Sequence, residues 1–246
     1  VTSPALTTLN LASENRLCLT LPVCEKIMLL MRLVITGGTS GSGKTAIIVH
    51  IAKDGGLGKT LTFKVDCVVA DEQRRLQRVG IGCSEYLSGR YCPDHFFMEN
   101  LEQMWNSGIS LGVETLILET AGLCTRCAPF LKNHVALCVL DCTSGISAPS
   151  KIGPILEDAD ICAITKGDLV SQPEREVLFA KVKQRNPNAN VFFVNGRTGE
   201  GTYKLSKAIF DLMSQKKGEG FAMRTPLPQL YCSYCLLRDE VGIDSL

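Results

Sequence analysis

The clearest chemical pattern in the chain is Gly38-Thr39-Ser40-Gly41-Ser42-Gly43-Lys44-Thr45, set between the apolar run Leu33 to Thr36 and a helical pattern. Glycines at this spacing let backbone N–H groups converge on phosphate oxygens at a helix N-terminus, where the dipole also favours an anion. The spacing is G-x-x-x-x-G-K-[ST], in which Lys44 reaches the β and γ phosphates and the Thr45 hydroxyl binds Mg²⁺. A look-alike follows at Gly55-Gly56-Leu57-Gly58-Lys59-Thr60. There the position five before Gly58 is Lys53 and the next segment is a strand, so these residues are read as a helix C-cap and turn.

Two later strand ends add a base site. The run Ile161 to Ile164 ends in Thr165-Lys166-Gly167-Asp168, and Val191 to Val194 ends in Asn195-Gly196. Here the chain resembles the GTPases, whose N/T-K-x-D motif reads guanine. The resemblance implies that Asp168 accepts from the guanine N1–H and 2-amino group, a donor pair that adenine lacks, while the Lys166 stem packs on the base. Thr165 stands where Asn is commoner. A third strand end, Leu118-Glu119-Thr120-Ala121-Gly122-Leu123, offers a carboxylate for Mg²⁺ or the attacking water and a Gly122 N–H for the γ-phosphate. An ordinary switch has D-x-x-G. Glu119-Thr-Ala-Gly122-Leu is instead similar to the SIMIBI-class metallochaperone GTPases of the HypB, UreG and CobW type, and the similarity runs from about Leu33 to Met213. It also takes in Asp66-Cys67 through Gly80, which matches the switch I region and its helix and makes Asp66 a candidate Mg²⁺ or switch ligand.

The same resemblance implies a metal-binding Cys and His after that region, and Cys92-Pro93-Asp94-His95 occupies the place, with Asp94 inserted. A thiolate and an imidazole ligate Zn²⁺ or Ni²⁺, but two ligands do not close a site. A two-fold symmetric dimer would supply the other two. Cys124-Thr-Arg-Cys127 follows Gly122, and Cys232-Ser-Tyr-Cys235 lies near the end of the sequence. Together they have the ligand count of a Cys₄ zinc or iron–sulfur site; redox thiols or small buried hydrophobes are the alternatives. Cys138, Cys142 and Cys162 fall in or beside buried strands and read as core, and His50 and His134 read as structural.

These residues need elements to hold them. Six apolar runs, Leu33 to Thr36, Leu61 to Val65, Val113 to Leu118, Val135 to Leu140, Ile161 to Ile164 and Val191 to Val194, read as buried strands. Helical patterns lie between them at Thr45 to Lys53, Glu72 to Arg78, Phe96 to Met104, Pro173 to Gln184 and Thr202 to Met213. The alternation predicts an α/β P-loop NTPase, a mostly parallel sheet flanked by helices on both faces, with ligands at the carboxyl ends of the strands. Residues 1–31 read as an extension with one edge strand near Leu17 to Leu21, residues 32–217 as the GTPase domain, and residues 218–246 as a tail broken by Gly and Pro.

The 246 residues are 45% hydrophobic and carry 26 Lys+Arg against 25 Asp+Glu, a formal charge of +1. That balance excludes a disordered chain and lacks the basic footprint of a nucleic-acid binder. No apolar run approaches the about 20 residues of a membrane span, and no signal pattern opens the chain, so it is read as cytoplasmic. The expected activity is that of a GTP-hydrolysing accessory protein: it binds GTP/GDP and Mg²⁺, forms a nucleotide-dependent homodimer, and helps a client metalloenzyme or cofactor-assembly protein acquire its metal. A small-molecule kinase or ATPase would use the same Lys44 and Thr45. A nucleotide-regulated iron–sulfur or redox protein would use the C-x-x-C pairs.

Overall fold

The structure is a computed structural model of the chain, and it describes residues 31–53, 56–67, 76–89, 91–122, 126–216 and 220–226. The expected edge strand near Leu17, the first part of the Glu72 to Arg78 helix, and Cys124, Cys232 and Cys235 lie outside the described residues.

Among the described residues, seven strands form one sheet, all parallel, in the order β3-β2-β4-β1-β5-β6-β7. They are β1 (Arg32–Gly38), β2 (Thr60–Asp66), β3 (Gly82–Leu87), β4 (Thr115–Glu119), β5 (Val135–Asp141), β6 (Ile161–Thr165) and β7 (Asn190–Phe193). The longer helices are α1 (Lys44–Lys53), α2 (Pro93–Ser110), α5 (Gln172–Arg185) and α6 (Thr202–Gln215), with the short α3 (Ala148–Lys151) and α4 (Pro154–Glu157) after β5.

Period-two alternation sends each strand's apolar residues to two faces, and helices close over both. On one face Ile47, Ile48 and Ile51 of α1 and Leu205, Ile209 and Met213 of α6 pack on Val34, Ile117, Val139 and Ala163. On the other, Phe97, Leu101 and Met104 of α2 and Leu178 and Val182 of α5 cover Ile35, Phe63, Leu118 and Ile164. Cys138 and Cys162 are fully buried in this second layer and face each other in register across β5 and β6. Their role as core residues agrees with the sequence reading.

Two strand assignments change. β3 is absent from the sequence reading because Gly-Cys-Ser-Glu-Tyr-Leu has no continuous apolar run, and as an edge strand it is only partly buried. β7, expected to be buried, is the opposite edge, with Asn190 and Phe193 exposed. The Gly55 to Thr60 look-alike does resolve into a turn at Gly56-Leu57 followed by β2 from Thr60. Strand β1 lies between β4 and β5, so the crevice beyond its carboxyl end is the place where an open α/β sheet receives a ligand.

Candidate functional site

The chain leaves β1 at Gly38, whose φ is +139° and whose Cβ, if it had one, would stand 2.2 Å from the Val139 carbonyl oxygen. Only glycine lets the loop turn that close to β5. Thr39 to Gly43 then form the turn into α1, with Ser42 N–H donating to the Thr39 carbonyl at 3.2 Å. Lys44 folds back over this loop and donates to the carbonyls of Gly38 at 3.1 Å and Thr39 at 3.0 Å. Burial pushes the Lys44 ammonium down from its ordinary pKa, with Glu119 working in the opposite direction. A phosphate bound there would replace those two neutral acceptors with charged ones and relieve that cost.

Across the crevice, β4 delivers Glu119. Thr45 Oγ1 lies 2.8 and 2.9 Å from its two carboxylate oxygens and donates to them. Glu119 is 2% exposed, and burial raises its carboxyl, opposed by Lys64, Lys44 and the Thr45 hydroxyl. Gly122, at φ +75°, lets the loop after β4 lie against the phosphate loop: a Cβ there would fall 1.9 Å from the Gly38 carbonyl oxygen. Ser40 N–H donates to the Gly122 carbonyl at 3.1 Å. Mg²⁺ takes hard oxygen ligands, and the Thr45 hydroxyl and Glu119 carboxylate, already in mutual contact, are such donors. Asp66 ends β2 on the same sheet face, and its Oδ1 accepts from the Cys67 N–H at 2.8 Å.

Thr165, the departure from the commoner Asn, ties the end of β6 to the phosphate loop by donating to the Ser42 carbonyl at 2.7 Å. Lys166 adopts φ +55°, left-handed and strained for a residue with a Cβ. Its ammonium donates to the Gly41 carbonyl at 3.0 Å and pairs with Asp141. Asp168 is exposed on the following 3₁₀ turn, Gly167–Leu169. The Asn195 side chain shapes its own loop, accepting from Arg197 N–H at 2.9 Å and Thr198 N–H at 3.2 Å. Gly196 packs against Ala46 in the first turn of α1, and its carbonyl meets His50 Nε2 at 3.1 Å. His50 thus joins α1 to the loop after β7.

Sequence reasoning missed two charged residues. Asp141, which closes β5, holds Lys166 and accepts from Thr143 N–H at 2.7 Å; an Asp ending an otherwise apolar strand was its only signal. Lys64 sits inside β2 with its side chain 7% exposed, 3.7 Å from both Asp66 and Glu119. A lysine interrupting Leu61 to Val65 was the sign, since an ammonium enters a core only when paired.

Cys92 is the N-cap of α2, and Asp94 and His95 lie in its first turn, all three buried. The inserted Asp94 suits that turn, where the helix dipole favours negative charge. Cys92 and His95, one helical turn apart, are on the same end of α2. Their loop is tied to β2, because Ser88 N–H donates to the Asp66 carbonyl at 2.9 Å and Ser88 Oγ lies 3.6 Å from Cys67 Sγ. Burial raises the Cys67 thiol, with Asp66, Cys92 and Asp94 adding to the shift and the Ser88 hydrogen bond opposing it. Cys127 is 1% exposed. Among the described residues, no group of three or more His, Cys, Asp or Glu side chains converges to hold a metal ion.

A parallel sheet with this loop between β1 and α1, flanked by Lys44, Thr45 and Glu119, defines a P-loop nucleotide-binding protein. Residues 32–193 match the CobW/HypB/UreG nucleotide-binding domain, and the chain belongs to that family. The uncharacterized protein MJ0120 of Methanocaldococcus jannaschii is 41% identical over 216 residues, covering 86% of this chain and 91% of its own. The fold resembles the crystal structure of hydrogenase maturation factor HypB from Archaeoglobus fulgidus, with a TM-score of 0.59, 20% identity, and coverage of 78% of this chain and 100% of that one. It also resembles HypB from Helicobacter pylori in complex with nickel, with a TM-score of 0.61, 17% identity, and coverage of 84% and 96%. Among the described residues, no helix is long and apolar enough to cross a membrane.

Proposed function

We propose that the chain is a GTP-binding and GTP-hydrolysing accessory protein that helps place a metal ion, or a metal-bearing cofactor, into a client enzyme. The observation that carries this reading is that one phosphate loop is bonded to both of its neighbours, through Ser40 to Gly122 and through Ser42 to Thr165. Phosphate sensing and base reading therefore share a single rigid piece.

In this reading Lys44 gives up its two carbonyl acceptors for the β and γ phosphates. Asp168 accepts from the guanine N1–H and 2-amino group, and Lys166 lies along the base. Glu119 orients the attacking water or the Mg²⁺ shell, and the Gly122 N–H faces the γ-phosphate. Thr45 and Glu119, with Asp66 nearby, would hold Mg²⁺, which when bound would supply charge neutralisation on the phosphate oxygens. Metal delivery is the less direct part. Its support is the Cys92 and His95 pair, whose loop is hydrogen-bonded to Asp66 through Ser88, so a shift at the exit of β2 is felt there. Zn²⁺ or Ni²⁺ is the cargo in this scheme. Two chains about a two-fold axis would give an S₂N₂ ligand set, and the nickel bound by the Helicobacter pylori relative supports nickel as cargo. The C-x-x-C pairs, Cys124 with Cys127 and Cys232 with Cys235, form a second candidate metal set in this proposal.

The test is equilibrium binding of GTP and of ATP to the full chain with Mg²⁺, followed by phosphate release. GTP should bind at least tenfold more tightly and be hydrolysed slowly without a partner, as in related intrinsic GTPases. Equal affinity for the two nucleotides would overturn the guanine reading in favour of a kinase or ATPase.

A further inference from the structure

Lys64 belongs to a row of charges that crosses the α1 face of the sheet. On β2 it stands in register with Glu119 on β4 and with Glu85 on β3, and registered residues of neighbouring parallel strands point to the same face. Its Nζ lies 3.7 Å from Glu119 Oε1 and 3.7 Å from Asp66 Oδ2. The Thr45 hydroxyl donates to the same Glu119 carboxylate. Glu85 adds a carboxylate oxygen that is buried and accepts no hydrogen bond. Glu119 and Asp66 thus lie at ion-pair range of this ammonium, and Glu85 neighbours Lys64 in register on β3. Folding has nothing to gain from an ammonium at a position that an apolar side chain of similar length would fill, unless the carboxylates themselves must be kept.

We propose that Lys64 is a tethered counter-cation for the Mg²⁺ side of the site. With no Mg²⁺ present it screens Glu119 and Asp66 and holds them ready. Against an arriving Mg²⁺ it is a like charge, so the divalent ion binds weakly until nucleotide phosphates contribute their own negative charge. Mg²⁺ and nucleotide then enter and leave as one unit. Lys64 acts through Glu119 and Asp66 and is a positioning residue. The inference rests on the nucleotide reading of the site.

The experiment titrates Mg²⁺ alone into the full chain, nucleotide-free and GDP-bound, for the parent, Lys64→Met and Lys64→Arg, by calorimetry and by thermal unfolding. The parent should bind Mg²⁺ at least tenfold more weakly without GDP than with it. Lys64→Met should bind Mg²⁺ at least tenfold more tightly than the parent in the nucleotide-free state, and Lys64→Arg should restore the parental value. Millimolar Mg²⁺ should raise the melting temperature of nucleotide-free Lys64→Met more than that of the parent. A folded Lys64→Met with the parental Mg²⁺ half-saturation overturns the proposal. Should that variant not fold, equal Mg²⁺ affinity of the parent with and without GDP overturns it as well. A parent that binds no guanine nucleotide overturns the underlying reading, and the nucleotide-free comparison then still decides the role of Lys64.

Discussion

Asp168 is exposed on a short turn, so its replacement would test recognition without disturbing packing. Asp168→Ala should leave unfolding stability within about 0.5 kcal/mol of the parent while weakening GTP binding by about ten- to a hundredfold, with ATP binding unchanged. Competition of the two nucleotides against a fluorescent guanine nucleotide checks this; an equal loss for both would remove Asp168 from the base site. Lys44→Ala should abolish nucleotide binding, measured in the same way, and a variant that still hydrolyses GTP at the parental rate would displace the phosphate loop. The matching change at Glu119 is Glu119→Gln rather than Ala, because truncation would take a partner away from the buried Lys64. Glu119→Gln should keep nucleotide affinity and slow turnover. Lys44, Thr45 and Gly38 were legible because phosphate binding demands those residue types at fixed spacing. Lys64 and Asp141 were not, since each is explained by a partner far away in sequence: Glu119 on β4 for Lys64, and Lys166 just after β6 for Asp141.

At the level of elements, the central strands were legible because burial on both faces writes continuous apolar runs, as in Val135–Asp141, where every residue is buried, and α1, α2, α5 and α6 were legible from helical periodicity, whereas the one-turn α3 and α4 are too short to show one. Edges are not written that way. β3 pairs on one side only and carries Glu85 and Ser84, so its strand character comes from its pairing with β2 rather than from its own composition. The segment 220–226 shows another non-local device. Met223 bridges Leu131, Arg224 binds Asp160 and the carbonyls of Leu131 and His134, and Phe221 stacks near His134 and Trp105. Burial lowers the His134 pKa to about 4, only partly offset by its hydrogen bond to the Gly220 carbonyl. The unfolded chain binds this proton near pH 6.5 and the folded chain near 4, so stability from neutral His134 is complete above about 6.5 and is lost as the pH falls toward 4. The loss is on the order of 3 kcal/mol. His134→Phe should keep the ring packing and flatten this part of the profile in denaturant titrations from pH 7 to pH 4. A variant as acid-sensitive as the parent would assign the effect to other groups.

For the whole molecule, residues 32–193 match the family's nucleotide-binding domain, and in the proposed function metal handling would depend on what that domain moves. Cys92 and His95 were singled out by resemblance, and the structure adds their placement on the first turn of α2 and the Ser88 link to Asp66. One chain offers two ligands there and a closed transition-metal site takes four, so Ni²⁺ or Zn²⁺ should bind at this site at one ion per two chains. Cys92→Ala combined with His95→Ala should remove that ion and, with it, any metal-dependent dimer, as measured by sedimentation. An unchanged stoichiometry would move the metal to the C-x-x-C cysteines. The central claim is that nucleotide state governs metal affinity, and it is tested most directly by titrating Ni²⁺ and Zn²⁺ into anaerobically purified protein that is nucleotide-free, GDP-bound, or bound to a non-hydrolysable GTP analogue. The account predicts a metal affinity that differs between the GDP and GTP-analogue states, linked to a dimer favoured by analogue and metal together. The same affinity and the same oligomeric state in all three conditions would contradict it.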